Sequence, residues 1–243
     1  MSKSIFDFIF SLIGLIVLSP ILFLFILLIW LQDRHSPFYI APRVGKNGKI
    51  FKIIKLRTMI IDADKYGVDS TSSDDTRITK VGHIIRKYKL DEFSQLWNVF
   101  IGQMSLVGPR PQVKRDVDNY TVSEKDLLNV FPGITDFSSI VFADEGEILS
   151  NSQDPDLDYN QLIRPWKSRL ALFYIKNQSM LLDVKLILLT IISIISRQKA
   201  LNGIHKILVK LSAEEKLIEI SKRKNQLTSY PPPGSDSIVT SRE

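Results

Sequence analysis

The chain has 243 residues, of which 44% are hydrophobic and 24% are charged, and its formal net charge is +6. It contains no cysteine, which excludes disulfides and thiolate metal sites and is consistent with a reducing compartment. The basic excess favours anionic partners, namely nucleic acid, anionic lipid head groups or phosphorylated small molecules.

The first segment is apolar over a length typical of a membrane helix. Phe8 to Leu31 contains 24 residues without a charge, and a straight helix of that length would be roughly 36 Å long. That exceeds the roughly 30 Å of membrane hydrocarbon. A cleaved signal peptide fits poorly, because its apolar region is usually about 7–15 residues and no small-residue cleavage site follows here. We therefore predict a membrane anchor over residues 1–35.

Ser19 and Pro20 lie near the middle of this run. Pro20 has no N–H for the carbonyl of Ile16, which bends a helix, and Ser19 can bond a carbonyl freed in this way. Two topologies remain open from these residues: a kinked spanning helix, and a re-entrant helix-break-helix that enters and leaves by one face. The positive-inside rule places the following domain in the cytoplasm, because basic residues from Arg34 to Arg57 follow without an acid between them.

A β-hairpin is predicted over residues 38–59, because Asn47-Gly48 is a strong type I′ turn signal between two β-prone runs. A strand alternates its faces, so lysines at every third position spread charge over both of them. This spacing favours a solvated or lipid-facing basic surface for Lys46, Lys49 and Lys52. Lys55 and Arg57 lie at the end of the strand, where a site can form.

Further along, periodicity predicts helices separated by polar segments. A polar, mobile loop is predicted over residues 62–78 and an acidic loop over residues 143–160. The apolar segment 181–195 is short for a membrane span and is predicted to be a core or interfacial helix. The tail from about Arg223 is rich in Pro and Ser and is predicted to be disordered. The other predicted helices cover residues 78–89, 92–101 with Gly102 as C-cap, a segment from about 123, and an amphipathic helix over 164–177.

Asp91-Glu92 is the central candidate for chemistry. Asp91 is predicted to be the N-cap of a helix, where the unpaired N–H groups, the helix dipole and neighbouring cations such as Arg86 favour an ionised carboxylate. The competing interpretation is that Asp followed by Glu in a first turn is simply good helix capping.

Gly108-Pro109-Arg110-Pro111 is the second candidate. Two prolines hold the backbone extended around one guanidinium, which can then bind phosphate bidentately with little loss of entropy. A rigid loop with a salt-bridged Arg110 is the alternative. The chain has no Walker loop and no G-x-G-x-x-G, and its three histidines are scattered, so a histidine metal site is not expected. For the acidic residues 144–147, a solvated loop is favoured over a cation site.

Several stretches together resemble the bacterial sugar transferase family, also called monotopic phosphoglycosyl transferases. The resemblance covers about residues 4–195, and the run from Leu90 to Pro111 is its most specific part. The matching stretches are the Ser19-Pro20 break, Lys55-Leu-Arg57-Thr-Met, Arg86, Leu90-Asp91-Glu92-Phe-Ser-Gln95-Leu-Trp-Asn98, Gly102-Gln-Met-Ser-Leu-Val-Gly-Pro-Arg-Pro111, Pro132-Gly-Ile-Thr135, Tyr174-Ile-Lys-Asn177 and Leu182-Asp183-Val-Lys185.

This resemblance implies a polyprenyl-phosphate sugar-1-phosphate transferase with a re-entrant anchor. It implies that Asp91 is the nucleophile, that Glu92 assists in metal binding or proton handling, and that Mg²⁺ binds near Asp91. Phe93-Ser94 and residues 136–139 depart from the family pattern, which blurs the identity of the donor sugar and not the reaction class. Substrate or phosphate contacts are implied for Lys55, Arg57, Arg86, Asn98, Arg110 and Gln112.

The predicted fold class is α/β or α+β, mainly helical with a small β-hairpin or sheet. The catalytic domain is expected over residues 36–200, with amphipathic interfacial helices, and a C-terminal extension over 201–243. Expected partners are a UDP-sugar donor, a polyprenyl phosphate acceptor and inner-membrane lipids, with a homodimer possible and no nucleic acid. The rival functions are a non-catalytic scaffold that binds acidic lipids and a membrane phosphatase that works through aspartyl phosphate.

Overall fold

The computed structural model describes residues 2–66, 71–72, 74–150 and 152–241, so part of the loop predicted over 62–78 lies outside the described residues. The described chain is mainly helical with two small sheets, which confirms the predicted fold class at that level. The strands are β1 (Phe38–Val44), β2 (Ile50–Leu56), β3 (Ser105–Val107) and β4 (Gly133–Thr135). The α-helices are α1 (Lys3–Asp33), α2 (Lys80–Lys87), α3 (Leu96–Phe100), α4 (Lys114–Asp118), α5 (Phe137–Val141), α6 (Glu145–Ile148), α7 (Pro155–Asp158), α8 (Arg164–Asn177), α9 (Met180–Ile195), α10 (Arg197–Lys210) and α11 (Glu215–Ser221).

Helix α1 runs through Ser19 and Pro20 without interruption. The Ser19 hydroxyl donates to the carbonyl of Ile16 at 2.7 Å, which is the carbonyl that Pro20 leaves without a backbone donor. This confirms the predicted role of Ser19. Among the described residues, α1 is the one helix long and apolar enough to cross a membrane by length and composition. At the usual rise per residue it is about 46 Å long.

Both ends of α1 are attached to the same folded domain. At one end, Lys3 Nζ donates to Asp183 Oδ2 at 2.5 Å. At the other end, Asp33 forms an ion pair with Arg57, and the side chain of Ile29 is fully buried. The domain therefore contacts α1 at both of its ends.

The hairpin forms as predicted. Strands β1 and β2 pair antiparallel, with Phe38 opposite Leu56. Asn47 and Gly48 both have positive φ, 56° and 74°, and the N–H of Lys49 donates to the carbonyl of Lys46 at 3.2 Å. These are the features of a type I′ turn, so that prediction is confirmed.

Strands β3 and β4 pair in parallel and bring the Pro109-Arg110 loop beside residues 131–135. The backbones approach so closely that a Cβ on Gly133 would lie 2.0 Å from the backbone nitrogen of Gly108. The N–H of Gly133 donates to the carbonyl of Pro109 at 2.9 Å, which fixes the loop just before Arg110. Glycine at position 133 is therefore a requirement for the position of Arg110.

The main core lies among α5, α8, α9 and α10, and it includes the fully buried side chains of Leu170, Leu186 and Ile204. The last part of the chain packs onto this body. The ring of Tyr230 stacks on Trp166 with 4.4 Å between centroids. These contacts differ from the disorder that the Pro- and Ser-rich composition predicts, because composition does not reveal an aromatic side chain that finds a stacking partner.

The predicted helix over 181–195 is present as α9, and its two sides differ. Leu182 and Leu186 are buried, whereas α1 and α9 both expose many large apolar side chains. An apolar surface of this kind marks an interaction site, and its extent here suits lipid. The acidic segment 143–160 was predicted to be a loop, but it contains α6, α7 and a π-helical turn, Tyr159–Ile163. The large apolar side chains most exposed on α1 and α9 are Ile5, Ile16, Val17, Phe23, Leu24, Leu181, Leu188, Ile191 and Ile195.

Candidate active site

Asp91 and Glu92 lie in the first turn of a 3₁₀ helix, Leu90–Gln95, which leads directly into α3. Its N-cap residue is Lys89, which has left-handed backbone angles with φ 54°, so the prediction that Asp91 is the N-cap is wrong. Lys89 reverses the direction of the chain after α2. The helix therefore begins at Leu90, two residues before the start that an Asp91 N-cap would give. The predicted end is confirmed, because Gly102 has φ +75° and its N–H donates to the carbonyl of Val99 at 2.9 Å.

The acidic turn is attached to strand β2 by two polar side chains. The hydroxyl of Ser94 donates to the carbonyl of Ile54 at 3.0 Å. Asn98 accepts from the N–H of Ile54 at 3.0 Å and donates to the carbonyl of Lys52 at 2.7 Å. Asn98 is fully buried, so the structure places this predicted substrate contact in a bracing position between β2 and α3.

Two cations flank the acid pair. Lys55, at the end of β2, places Nζ 3.2 Å from Glu92 Oε1 and 3.7 Å from Asp91 Oδ2. Arg110, in the loop after β3, places Nη1 2.6 Å from Glu92 Oε1. Three segments far apart in sequence thus meet, and their four side chains form one charged cluster.

The other two predicted phosphate ligands are held by different partners. Arg86 donates from Nε to the hydroxyl of Thr58 at 2.9 Å, and its charge acts on Asp91. Arg57 donates to both carboxylate oxygens of Asp33 at 2.7 Å and to the carbonyl of Ser36 at 2.8 Å. Arg57 therefore secures the end of α1 rather than joining the acid pair.

A cleft opens beside Arg110. Gln112 belongs to it, and its amide donates to the hydroxyl of Tyr159 at 3.4 Å. Gln112 therefore lies next to the charged cluster. Among the described residues, it makes no direct contact with Asp91 or Glu92. Its lining includes Pro109, Arg110, Gln112, Tyr120, Tyr159 and Lys167.

The pKa values of the two carboxyl groups shift in opposite directions. Burial raises the pKa of Asp91, an effect that Lys55 opposes and the charge of Glu92 reinforces. Burial also raises the pKa of Glu92, but the charges of Arg110 and Lys55 outweigh it and lower that pKa overall. The predicted bias toward ionisation is therefore found at Glu92, whereas at Asp91 burial outweighs the cations.

The carboxylates also bear on metal binding. Within the described residues, ion pairs engage Oδ2 of Asp91 and Oε1 of Glu92, which leaves one oxygen of each carboxylate for another ligand. Mg²⁺ typically takes one or two carboxylates and completes its octahedron with substrate phosphates and water, so this pair fits it. Among the residues that the structure describes, no group of three or more His, Cys, Asp or Glu side chains is arranged for a metal held by protein alone.

Sequence reasoning missed a second ion pair near Arg110. Glu145 of α6 pairs with Lys167 of α8, and Lys167 lines the same cleft as Arg110. The sequence predicts a solvated loop here, with a cation site as the alternative, whereas Glu145 forms an ion pair within the folded domain. The partners are 22 positions apart, and no spacing rule connects residues at that separation, so only the packing of α6 on α8 could reveal the pair.

A long apolar helix fixed to a small domain, beside two adjacent carboxylates among lysine and arginine side chains, is the arrangement of a membrane-associated protein with a site for an anionic ligand. The chain matches the family described as Bacterial sugar transferase over residues 1–197, and it belongs to that family.

The chain is similar to several proteins whose names specify a lipid acceptor. It is 44% identical over 133 residues, 55% of this chain and 70% of the relative, to a candidate undecaprenyl-phosphate N-acetylgalactosaminyl 1-phosphate transferase of Bacillus subtilis. It is 31% identical to the UDP-N-acetylgalactosamine-undecaprenyl-phosphate N-acetylgalactosaminephosphotransferase of Aeromonas hydrophila, over 78% of this chain and 43% of the relative. It is 34% identical to the undecaprenyl-phosphate glucose phosphotransferase of Komagataeibacter xylinus, over 79% of this chain and 35% of the relative. The chain thus spans less than half the length of the last two.

Proposed function

We propose that this chain transfers a sugar 1-phosphate from a UDP-sugar to undecaprenyl phosphate and releases UMP, as a first membrane step in surface glycan assembly. The observation that carries the proposal is the position of Asp91, whose carboxylate lies 3.7 Å from Lys55 Nζ and beside the Glu92–Arg110 ion pair. Family membership and the names of the relatives support the substrate classes. Because those relatives carry different sugars in their names, the sugar is left unassigned.

In the first displacement, a carboxylate oxygen of Asp91 attacks the phosphorus that bears the sugar. A bond forms between that oxygen and phosphorus, the bond from phosphorus to the bridging oxygen breaks, and UMP leaves with the bridging oxygen. Lys55 and Arg110 neutralise charge on the transferring group and the departing phosphate. The product is an aspartyl-phosphosugar covalently held on Asp91.

In the second displacement, an oxygen of the lipid phosphate attacks the same phosphorus. The carboxylate of Asp91 leaves, and the new phosphoanhydride bond joins the phosphosugar to the lipid. Donor and acceptor are both polyanions, so a covalent intermediate lets each meet the cations at a different time. The ionised form of Asp91 is required in the first step and is regenerated in the second.

We also propose Mg²⁺ as the cofactor, held by Asp91 and Glu92. When bound, it supplies charge neutralisation on the phosphoryl oxygens. Glu92 suits this role because its lowered pKa keeps it ionised, and its pairing with Arg110 holds its orientation. The observation in favour is the unengaged oxygen that each carboxylate retains within the described contacts.

The anchor is proposed to be re-entrant, with the catalytic domain on the cytoplasmic face. The support is that Lys3 and Asp33, at opposite ends of α1, form ion pairs with one and the same domain. A helix tied in this way cannot place its two ends on opposite sides of a membrane while the domain stays on one side. The apolar surfaces of α1 and α9 then rest in lipid, and the lipid phosphate lies at the level of the site.

The test is UMP release from a panel of UDP-sugars by the full chain in the presence of undecaprenyl phosphate. Asp91→Asn is expected to abolish release while the protein still sediments with membranes. Asp118→Asn, which neutralises an exposed aspartate, is the matched control and is expected to behave as the parent chain. Near-parental turnover by Asp91→Asn would defeat the nucleophile assignment, and no release from any donor would defeat the proposed reaction.

A further inference from the structure

The folded body continues past the point where the family match ends. The match covers residues 1–197, yet α11 and all of α10 after its first residue lie beyond it, and both helices contribute to the main core. Ala200, Leu201, Ile204 and Leu208 of α10 are buried, and so is Leu217 of α11. These two helices are therefore part of the same hydrophobic body that carries the site.

Arg197, the first residue of α10, and Arg223, which follows α11, meet on a single carboxylate. Arg197 Nη2 lies 2.7 Å and Arg223 Nη2 lies 3.2 Å from Oδ2 of Asp144. The side chain of Arg223 is only 9% exposed, and its guanidinium lies 5.3 Å from the ring centroid of Phe142. A guanidinium this buried is costly unless a carboxylate compensates it, so Arg223 and Asp144 hold each other in place.

Asp144 determines where α6 begins. Its carbonyl accepts from the N–H groups of Glu147 and Ile148 at 2.9 and 3.0 Å, so it forms the first turn of that helix. Glu145 is the next residue, and its carboxylate pairs with Lys167 of α8. A shift of Asp144 would therefore move Glu145 away from Lys167.

Lys167 and Arg110 share a cleft, and Glu145 acts on both. Glu145 opposes the effect of burial on Lys167 and keeps its pKa raised, and its negative charge adds to that of Glu92 in raising the pKa of Arg110. The side chain of Lys167 is 10% exposed and lines the cleft beside Arg110. The ion pair with Glu145 thus sets the direction of Lys167 in the cleft that it shares with Arg110.

We propose that Arg223, with Arg197, is a positioning residue for donor binding. It holds Asp144, which fixes Glu145 and, through Glu145, directs Lys167 toward the cleft that takes the anionic diphosphate part of the UDP-sugar. The proposal rests on the proposed transferase function. It makes Arg223, which lies beyond the family match, a working part of the site through its contact with Asp144.

The first experiment compares Arg223→Ala and Arg223→Lys with the control Lys224→Ala in the full chain. Lys224 is exposed and adjacent, so its loss removes the same charge without touching Asp144. For Arg223→Ala we expect kcat/KM for the UDP-sugar to fall roughly five- to twentyfold, with kcat/KM for undecaprenyl phosphate unchanged. Arg223→Lys should recover part of the loss, and Lys224→Ala should lose nothing.

The second experiment asks whether Arg223 acts through Glu145. In a Glu145→Gln background, Arg223→Ala should add no further loss of donor kcat/KM, whereas two independent losses would multiply. Losses that multiply, or an Arg223→Ala variant that unfolds at a lower temperature with unchanged donor kcat/KM, would overturn the proposal. If Arg223→Ala does not fold, the donor kcat/KM of Arg223→Lys and of Asp144→Asn is compared in the same way, with and without Glu145→Gln.

The outcomes separate the two levels of inference. A parent chain that releases no UMP from any UDP-sugar contradicts the proposed function and this inference with it. A parent chain that is active, together with an Arg223→Ala variant whose donor kcat/KM equals that of Lys224→Ala, contradicts the positioning role alone.

Discussion

Arg57 donates two hydrogen bonds to the carboxylate of Asp33, from Nη1 to Oδ2 and from Nη2 to Oδ1, each 2.7 Å long. The pair joins the last residue of α1 to the residue that follows β2. Lys55, two residues before Arg57, reaches the acid pair. The end of α1 and the charged cluster are therefore connected through residues 55–57, at the end of β2.

This pair predicts a structural role for Arg57. Arg57→Ala should destabilise the folded domain by about 1–3 kcal/mol, because it leaves the Asp33 carboxylate without its bidentate partner. Asp33→Asn should cause a similar loss of stability and activity, and the double variant should lose less than the sum of the two, as measured by thermal unfolding and UMP release in detergent. If Arg57 instead binds phosphate directly, Asp33→Asn will keep its activity while Arg57→Ala will not.

The ion pairs at the two ends of α1 predict the topology of the anchor. Since the chain contains no cysteine, a single cysteine placed at Ser2 or at His35 can be labelled without background. Both positions should react with a membrane-impermeant thiol reagent from the cytoplasmic side only, because Lys3 and Asp33 are tied to the same domain. Labelling of position 2 from the opposite side would establish a spanning helix. A cysteine at the exposed Val122 of the domain serves as the cytoplasmic reference.

The raised pKa of Asp91 predicts the acidic side of the pH profile. Attack requires the ionised carboxylate, so donor kcat/KM should fall as pH drops through a value above the ordinary 3.8. Lys55→Met removes a positive charge, which raises the pKa of Asp91 further. The acidic limb of the pH profile, where donor kcat/KM falls, should therefore move to higher pH. Glu92→Gln removes a negative charge and should move it to lower pH.

The measurement is donor kcat/KM between about pH 4 and pH 9 for the three proteins, since this parameter reports the free enzyme. Both substitutions lower the absolute rate, because Lys55 and Glu92 belong to the site, so the position of the limb is the quantity compared. If the acidic limbs of the two variants shift in the same direction, or do not shift, a group other than Asp91 controls the acidic side of the profile.

Metal removal gives a further prediction. Chelation by EDTA should stop UMP release, and excess Mg²⁺ should restore it, because the proposed Mg²⁺ would neutralise the donor phosphates beside the acid pair. Glu92→Gln should require a higher Mg²⁺ concentration for half-maximal rate. Full activity in EDTA, with metal content verified by elemental analysis, would argue that Lys55 and Arg110 alone neutralise the phosphates.

The sequence alone was informative where a local pattern has one physical solution. The type I′ turn at Asn47-Gly48 follows from the ease with which both residues adopt positive φ, and Gly102 ends α3 for a similar reason. The run from Leu90 to Pro111 pointed to Asp91, Glu92 and Arg110, and the structure brings these residues together with Lys55. The family relationship that this run suggested is confirmed by the match over residues 1–197.

Tertiary structure decided which charges meet. Arg57 belongs with Asp33, 24 positions earlier, and Asn98 braces β2, although both stand in motifs that suggested substrate contacts. Lys167 forms an ion pair with Glu145, and Arg223 forms one with Asp144, which lies 79 positions earlier in the chain. A local sequence determines backbone preferences, because these depend on neighbouring residues. Ion pairs and burial depend on how distant elements pack, so the raised pKa of Asp91 and the contact between Arg223 and Asp144 became apparent only in the folded chain.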